Sequence, residues 1–198
     1  MNEIVDVAEV DITVDLEKYR DKFAITYFFG ITPDFLVNED GTVNTWRIDE
    51  AVEAGLYSVA WPARFEVLHT DDPWFVLDGG HNPQCAAALR ECLEHYFPYQ
   101  KRVALVGVLK DKDYKAIAAT LAPLFDACVC VTPNSERALP AEELAELFRG
   151  SCREVCTADT VEDGVDLARD IAQEQDAMVC AFGSLYICGQ IRACFGLK

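Results

Sequence analysis

From Trp74 onward the chain repeats one pattern that leaves few folds open. Short apolar runs, "WFVL" (74–77), "RVALVGV" (102–108), "ACVCVT" (127–132), a weaker "EVC" (154–156) and "AMVCAF" (177–182), alternate with amphipathic stretches. Strand, helix, strand, helix in this order builds a parallel sheet covered on both faces. Leu89, Cys92, Leu93 and Tyr96 fall at i, i+3, i+4 and i+7, and Val161, Val165, Ala168 and Ala172 make a similar stripe, so both segments are predicted to be helices packed on that sheet. "RFEVLHTDDPWFVL" reads as two runs around Asp71-Asp72-Pro73, which adds an antiparallel edge strand before the first parallel one. The expectation is an α/β, Rossmann-like domain of three layers. Its mostly parallel sheet has about six strands, with helices on both faces.

The first sixty residues follow a different pattern. Val10, Ile12, Val14 and Leu16 alternate with polar residues as in a half-buried strand, and Leu16, Tyr19, Phe23 and Tyr27 then keep helical spacing. Asp40-Gly41 marks a hairpin turn. These signals supply too few strands for an independent sheet. Residues 1–60 are therefore expected to be a small appendage, with the main domain at 61–198.

Charge excludes whole classes of partner. At a formal net charge of -17 the surface gains nothing from counterion release, so neither nucleic acid nor an anionic membrane is expected as a ligand. No apolar run reaches the roughly 18 residues of a membrane span. The start, "MNEIVDVAEVD", carries acids where a secretion signal needs basic residues, and a cytoplasmic protein is expected. The nine cysteines lie mostly in apolar runs (Cys128, Cys130, Cys180) or on a helix stripe (Cys92), where thiols act as small hydrophobes. Cys152 and Cys156 have no second pair at metal-ligand spacing, so no metal site is expected.

In an open parallel sheet ligands bind beyond the carboxyl ends of the strands. The loops predicted there are polar: "DGGHNP" (78–83), "LKDKD" (109–113), "PNSERALP" (133–140) and "GSLY" (183–186). Asp78 ends a strand where a carboxylate can meet ribose hydroxyls. Gly79 and Gly80 let the backbone approach a ligand, and Pro83 suits the first turn of a helix that Asn82 can cap. His81 is left to face the crevice. The same residues also fit plain turn and cap roles, Lys110 and Lys112 a solvated turn with internal ion pairs, Arg137 surface decoration and Ser184 a helix cap. What favours a site is their convergence on one sheet edge.

"WPARFEVL", "VLDGGHNP", "GVLKDKD", "ERAL" and "GSLY", in this order, resemble the C-terminal domain of folylpolyglutamate synthase/dihydrofolate synthase, a branch of the Mur ligase family, over roughly residues 48–198. The resemblance implies a ligase that uses ATP and magnesium to phosphorylate a carboxylate of a folate or pteroate, which the amine of L-glutamate then attacks. It implies that residues 1–60 are a remnant of the central ATPase domain. Carried over by motif, Arg64, Asp78 and Asn82 belong to the nucleotide, and His81 lies near the phosphates or the reacting carboxylate. Lys112, with Lys110, and Ser184 hold the glutamate carboxylates, with Arg137 a further candidate.

Several positions depart from the family pattern. Ala63 and Gly80 stand where the family commonly has Gly and Ala, swaps expected to be tolerated. "YRDKFA" around Lys22 replaces a stretch that usually offers an Asn. No G-x-x-x-x-G-K-[ST] run occurs in the chain, so the loop that cradles phosphates and the magnesium ligands are expected in a central domain it lacks, and the chain is expected to be inactive alone. The competing readings are a non-catalytic nucleotide or amino-acid binding module and the C-terminal domain of a cell-wall Mur ligase. Phe28, Phe29 and Trp46 raise the expectation of self-association through the front segment.

Overall fold

A computed structural model describes residues 61–69 and 73–197, which belong to the second of the two units into which the chain divides, Trp61–Lys198. The strand, helix and hairpin expected before residue 61, the "YRDKFA" stretch, the self-associating aromatics, and Asp71 and Asp72 of the predicted turn lie outside the described residues.

The elements run β1 (Glu66–His69), β2 (Phe75–Asp78), α1 (Pro83–Tyr96), β3 (Lys101–Val106), α2 (Tyr114–Leu121), a single 3-10 turn (Ala122–Leu124), β4 (Ala127–Val131), α3 (Ala141–Glu146), β5 (Glu154–Ala158), α4 (Val161–Gln175), β6 (Ala177–Phe182) and α5 (Leu185–Cys194). They form one six-stranded sheet in the order β1-β2-β6-β3-β4-β5. β1 runs antiparallel to β2, and every other pair is parallel. The antiparallel edge and the mostly parallel body agree with the expectation from sequence. The last strand, however, lies between β2 and β3, paired Asp78 to Phe182 on one side and Val106 to Phe182 on the other.

Side-chain alternation along each strand feeds two cores. Val76, Ala104, Val106, Cys128, Cys130, Met178, Cys180 and Phe182 face α1, α2 and α3. Phe75, Leu77, Val103, Leu105, Val129, Val131, Val179 and Ala181 face α4 and α5. All six residues of β6 are buried, as a central strand sandwiched by helices requires.

The helices start where the sequence places caps. Asn82 accepts from the Cys85 amide at 2.8 Å with Pro83 in the first turn, and Asp113 accepts from the Ala116 amide at 3.1 Å. Thr160 and Asp163 exchange bonds of 3.0 and 2.7 Å at the start of α4. Two sequence readings need correction. "RVALVGV" leaves the sheet after Val106, because Gly107 and Val108 already turn into the following loop. Tyr96, the last residue of the α1 stripe, is 64% exposed, with its ring against Phe65 and His95.

One buried cation serves the fold. Arg102 sits beneath the end of α1 and donates from Nη2 to Phe97 O at 2.5 Å and Leu93 O at 3.3 Å, and from Nη1 to Leu124 O at 3.4 Å. A cation over the last carbonyls of a helix is favoured by both their lone pairs and the helix dipole.

Candidate functional site

β2, β6 and β3 are neighbours, so their carboxyl ends make one rim, and each is followed at once by glycine: Gly79, Gly183 and Gly107. The requirement is clearest at Gly183. Its φ is +110°, and a Cβ there would stand 2.7 Å from Gly107 O and 2.8 Å from Val108 Cγ1. The loops after β3 and β6 thus touch backbone to backbone, and the Gly107 amide donates to Phe182 O at 3.3 Å. A Cβ on Gly79 would overlap Leu185, so the β2 loop lies against the start of α5. A strand-terminal glycine repeated three times is a sequence signal for this rim that the motif reading above did not use.

At the β2 end, Asp78 is bound on both oxygens: Oδ1 accepts from the Gly80 amide at 2.7 Å and Oδ2 from the Phe65 amide at 2.9 Å. These bonds tie the "WPAR" segment to "DGGHNP", helped by the Gly79 amide donating to Ala63 O at 2.8 Å. Ala63 and Phe65 have φ of +56° and +45°, the left-handed region that favours glycine and that neither residue type readily adopts. A Cβ on Gly80 would stand 2.6 Å from Asp78 Oδ1 and 2.8 Å from Cys85 Cβ, so the loop as it is folded here takes glycine at this position. His81 Nδ1 lies 3.2 Å from Gly79 O. A carbonyl only accepts, so Nδ1 carries the proton and Nε2 is left for another partner.

Arg64 is exposed, with its guanidinium 5.7 Å from the Trp61 ring and Nη1 donating to Ala63 O at 3.1 Å. Behind it, Glu66 accepts from the Ala63 amide at 2.8 Å and pairs with Arg192 of α5. Burial works to raise the Glu66 carboxyl. The Arg192 hydrogen bond, the Ala63 amide and the Arg192 charge together outweigh it and hold the group below its usual 4.5.

The loop after β3 departs from the expected internal ion pairs. Asp113 is used as the α2 cap, and Asp111 reaches across to Arg137 Nη1 at 2.8 Å instead of to the lysines beside it. Among the described residues no acid pairs with the Lys110 or Lys112 ammonium. Arg137 Nη2 donates to the Tyr186 hydroxyl at 3.3 Å. These bonds raise the guanidinium pKa, the Tyr186 bond first and the Asp111 charge next. Ser184 is 2% exposed. Its Oγ caps α5 by accepting from the Tyr186 amide at 3.2 Å. Asp78, His81, Lys110, Lys112 and Ser184 therefore stand on loops of three adjacent strands, and Arg137 joins them from the β4 loop.

The opposite edge differs. An open groove of about 510 Å³ lies among Lys101, Asp126, Arg153, Glu154 and Gln175, at the amino ends of the strands. Within it Lys101 Nζ donates to Gln175 O at 2.8 Å and Gln175 Nε2 to Glu154 at 3.0 Å. Among the described residues, no three of His, Cys, Asp and Glu gather as a metal site, and no helix is long and apolar enough to cross a membrane.

Residues 63–185 match the family described as Mur ligase, glutamate ligase domain, and the chain belongs to that family. Within the family its likeness is to folylpolyglutamate synthases. The dihydrofolate synthase/folylpolyglutamate synthase of Mycobacterium tuberculosis is 37% identical over 163 residues, which cover 74% of this chain and 33% of that protein. The crystal structure of M. tuberculosis folylpolyglutamate synthase complexed with ADP and AMPPCP superposes with a TM-score of 0.70 at 32% identity, over 75% of this chain and 35% of that one. The bifunctional enzyme of Yersinia pestis complexed with AMPPNP and a Mn ion gives 0.67 at 29%, over 79% and 35%. The matched segment thus spans about a third of these relatives.

Proposed function

We propose that this chain is the amino-acid-presenting domain of an ATP-dependent ligase that joins L-glutamate to a carboxylate of a folate or pteroate through an acyl phosphate. One observation carries the reading. In a protein of net charge -17, Lys110 and Lys112 stand at the carboxyl rim without an acid partner among the described residues, because the fold employs Asp111 and Asp113 elsewhere. An anionic substrate needs such local cations against the global field. The relatives' complexes with ADP, AMPPCP and AMPPNP support a nucleotide as a ligand of the whole enzyme.

ATP supplies the phosphoryl group that activates the acceptor carboxylate. Among the described residues no three of His, Cys, Asp and Glu gather, and in this reading the magnesium ligands lie outside them. In this reading the chain's own groups bind and orient. Arg64 meets phosphate, Asp78 the ribose or adenine, and Asn82 fixes the start of α1, whose amide end favours anions. His81, its Nδ1–H donated to Gly79 O, lies near the phosphates or the reacting carboxylate, where the unprotonated Nε2 accepts a hydrogen bond, as from the attacking amine. Lys112 and Lys110 hold the glutamate carboxylates with its amine near the activated carbonyl. The Ser184 hydroxyl, which accepts from the Tyr186 amide, keeps its hydrogen for a carboxylate oxygen at the base of the crevice.

The test replaces the matched segment of the M. tuberculosis relative with residues 63–185 and measures glutamate-dependent ADP release on a reduced folate. Release that Lys112→Ala lowers by about tenfold or more is expected. A folded chimera whose ADP release ignores glutamate refutes the reading. The chain alone is expected to release no ADP, and turnover above background would overturn that part.

A further inference from the structure

The charged run "KDKD" (110–113) offers Asp111 two lysines as immediate neighbours, yet its carboxylate binds an arginine 26 residues away. Arg137 is held for this contact. The Lys110 amide donates to Arg137 O at 2.8 Å, the Leu139 amide donates to Val108 O at 3.0 Å, and Leu109 bridges Ala138, so the β3 and β4 loops are stitched along their backbones. The guanidinium fork is then divided, Nη1 to Asp111 and Nη2 to Tyr186 in the first turn of α5, with the Tyr186 ring 6.0 Å away. With the backbones fixed, only the side chains can exchange partners.

That exchange is open to solvent. The Arg137 and Asp111 side chains are 51% and 42% exposed, and Tyr186 is 50% exposed. An exposed ion pair of this kind contributes little and is screened, so another carboxylate can replace Asp111 at nearly equal free energy. It would meet a guanidinium already oriented by Tyr186, with the start of α5 close by and, on the loop of Asp111, Lys110 and Lys112, which have no acid partner among the described residues. A carboxylate is the ligand chemistry that the fork already accepts.

We propose that Asp111 is a resident carboxylate that occupies Arg137 until a ligand carboxylate displaces it, and that Asp111 thereby sets the affinity of the rim for that ligand. Resting on the function proposed above, the displacing ligand is the L-glutamate substrate, received by Arg137 and Tyr186. Asp111 acts by competition and by charge: a ligand with a single weakly held carboxylate does not evict it, whereas one that also engages Lys112 does. It is a specificity-determining residue, and it takes no part in the reaction.

The test uses the full chain and follows the Arg137 Nε–H and Tyr186 ring signals by NMR at fixed ionic strength, during titration with L-glutamate and, separately, glutarate. Asp111→Asn is expected to bind L-glutamate about two- to fivefold more tightly than the wild type. Arg137→Gln should abolish the response of the Tyr186 ring. Asp111→Ser, with the same expected gain, guards against a folding defect in the first variant. Unchanged or weakened binding in both Asp111 variants, or Arg137 signals that stay still in the wild type and both variants, overturns the proposal. Glutarate binding as tightly as L-glutamate leaves the exchange standing and counts against the ligase reading. An active chimera beside unchanged Asp111 variants does the reverse.

Discussion

Gly183→Ala adds one methyl group where the structure leaves no room for it. Two costs combine. A non-glycine residue held at a φ of +110° carries strain of about 1–3 kcal/mol. The new Cβ would also press on Gly107 O at 2.7 Å and Val108 Cγ1 at 2.8 Å, and the first of these is backbone that cannot rotate away. Together a loss of about 3 kcal/mol is expected, a fall of roughly 10 °C in Tm for a domain of this size. Gly189→Ala is the matched control. It lies in α5, six residues on, and a Cβ there meets nothing within 4 Å, so the change should stabilise by up to about 1 kcal/mol through helix propensity. Urea melts followed by circular dichroism separate the two as midpoints moving in opposite directions at unchanged slope. Hydrogen exchange at the Gly107 amide, which bonds Phe182 O, should quicken in Gly183→Ala alone. Equal midpoints for the two variants would refute the argument that the rim is closed by backbone contact between the β3 and β6 loops.

Glu66→Gln tests the tie between "WPAR" and α5. The Glu66 carboxyl is held below its usual 4.5, so its stabilisation is fully present above that value and is lost as pH falls through the lower folded value. The variant should melt earlier than wild type at pH 7, with the gap closing as pH falls below 4.5; a gap independent of pH would refute the assignment. Thiol labelling at pH 8 should modify exposed Cys194 first and buried Cys128, Cys130 and Cys180 only as the fold opens. Burial also pushes Cys152 and Cys188 up to about 11, so early labelling of either would contradict the packing. Arg102→Met should cost about 2–3 kcal/mol by removing a buried charged donor from the carbonyls of Leu93, Phe97 and Leu124, of which the first two keep only the amides of Phe97 and Gln100, measured as a loss of urea midpoint.

Much of the fold was readable because apolar runs and helix stripes are local signals. "AMVCAF" is a fully buried strand from its first residue to its last. Asn82, Asp113 and Ser184 cap helices as their residue types suggest. What was not readable depends on residues distant in sequence. The place of β6 between β2 and β3 is set by packing that no window of residues contains. Phe65 offers its amide to Asp78 because Ala63 and Phe65 adopt positive φ, a conformation neither residue type announces. Glu66 meets Arg192 across 126 positions, and the charges of "KDKD" suggested pairs among neighbours where Asp111 chose Arg137. The motif positions were visible in the sequence, and the bonds that hold them were not.

The position of β6 bears on how the molecule is made. On a ribosome β2 and β3 emerge long before the strand that separates them, and until then each presents an unpaired central edge. Pairing β2 directly with β3 would be a trap that delays or blocks the native order. The rim cannot exist until residues 177–182 have been synthesised and inserted. A nascent chain stalled before that point holds most of the domain's residues and none of its crevice.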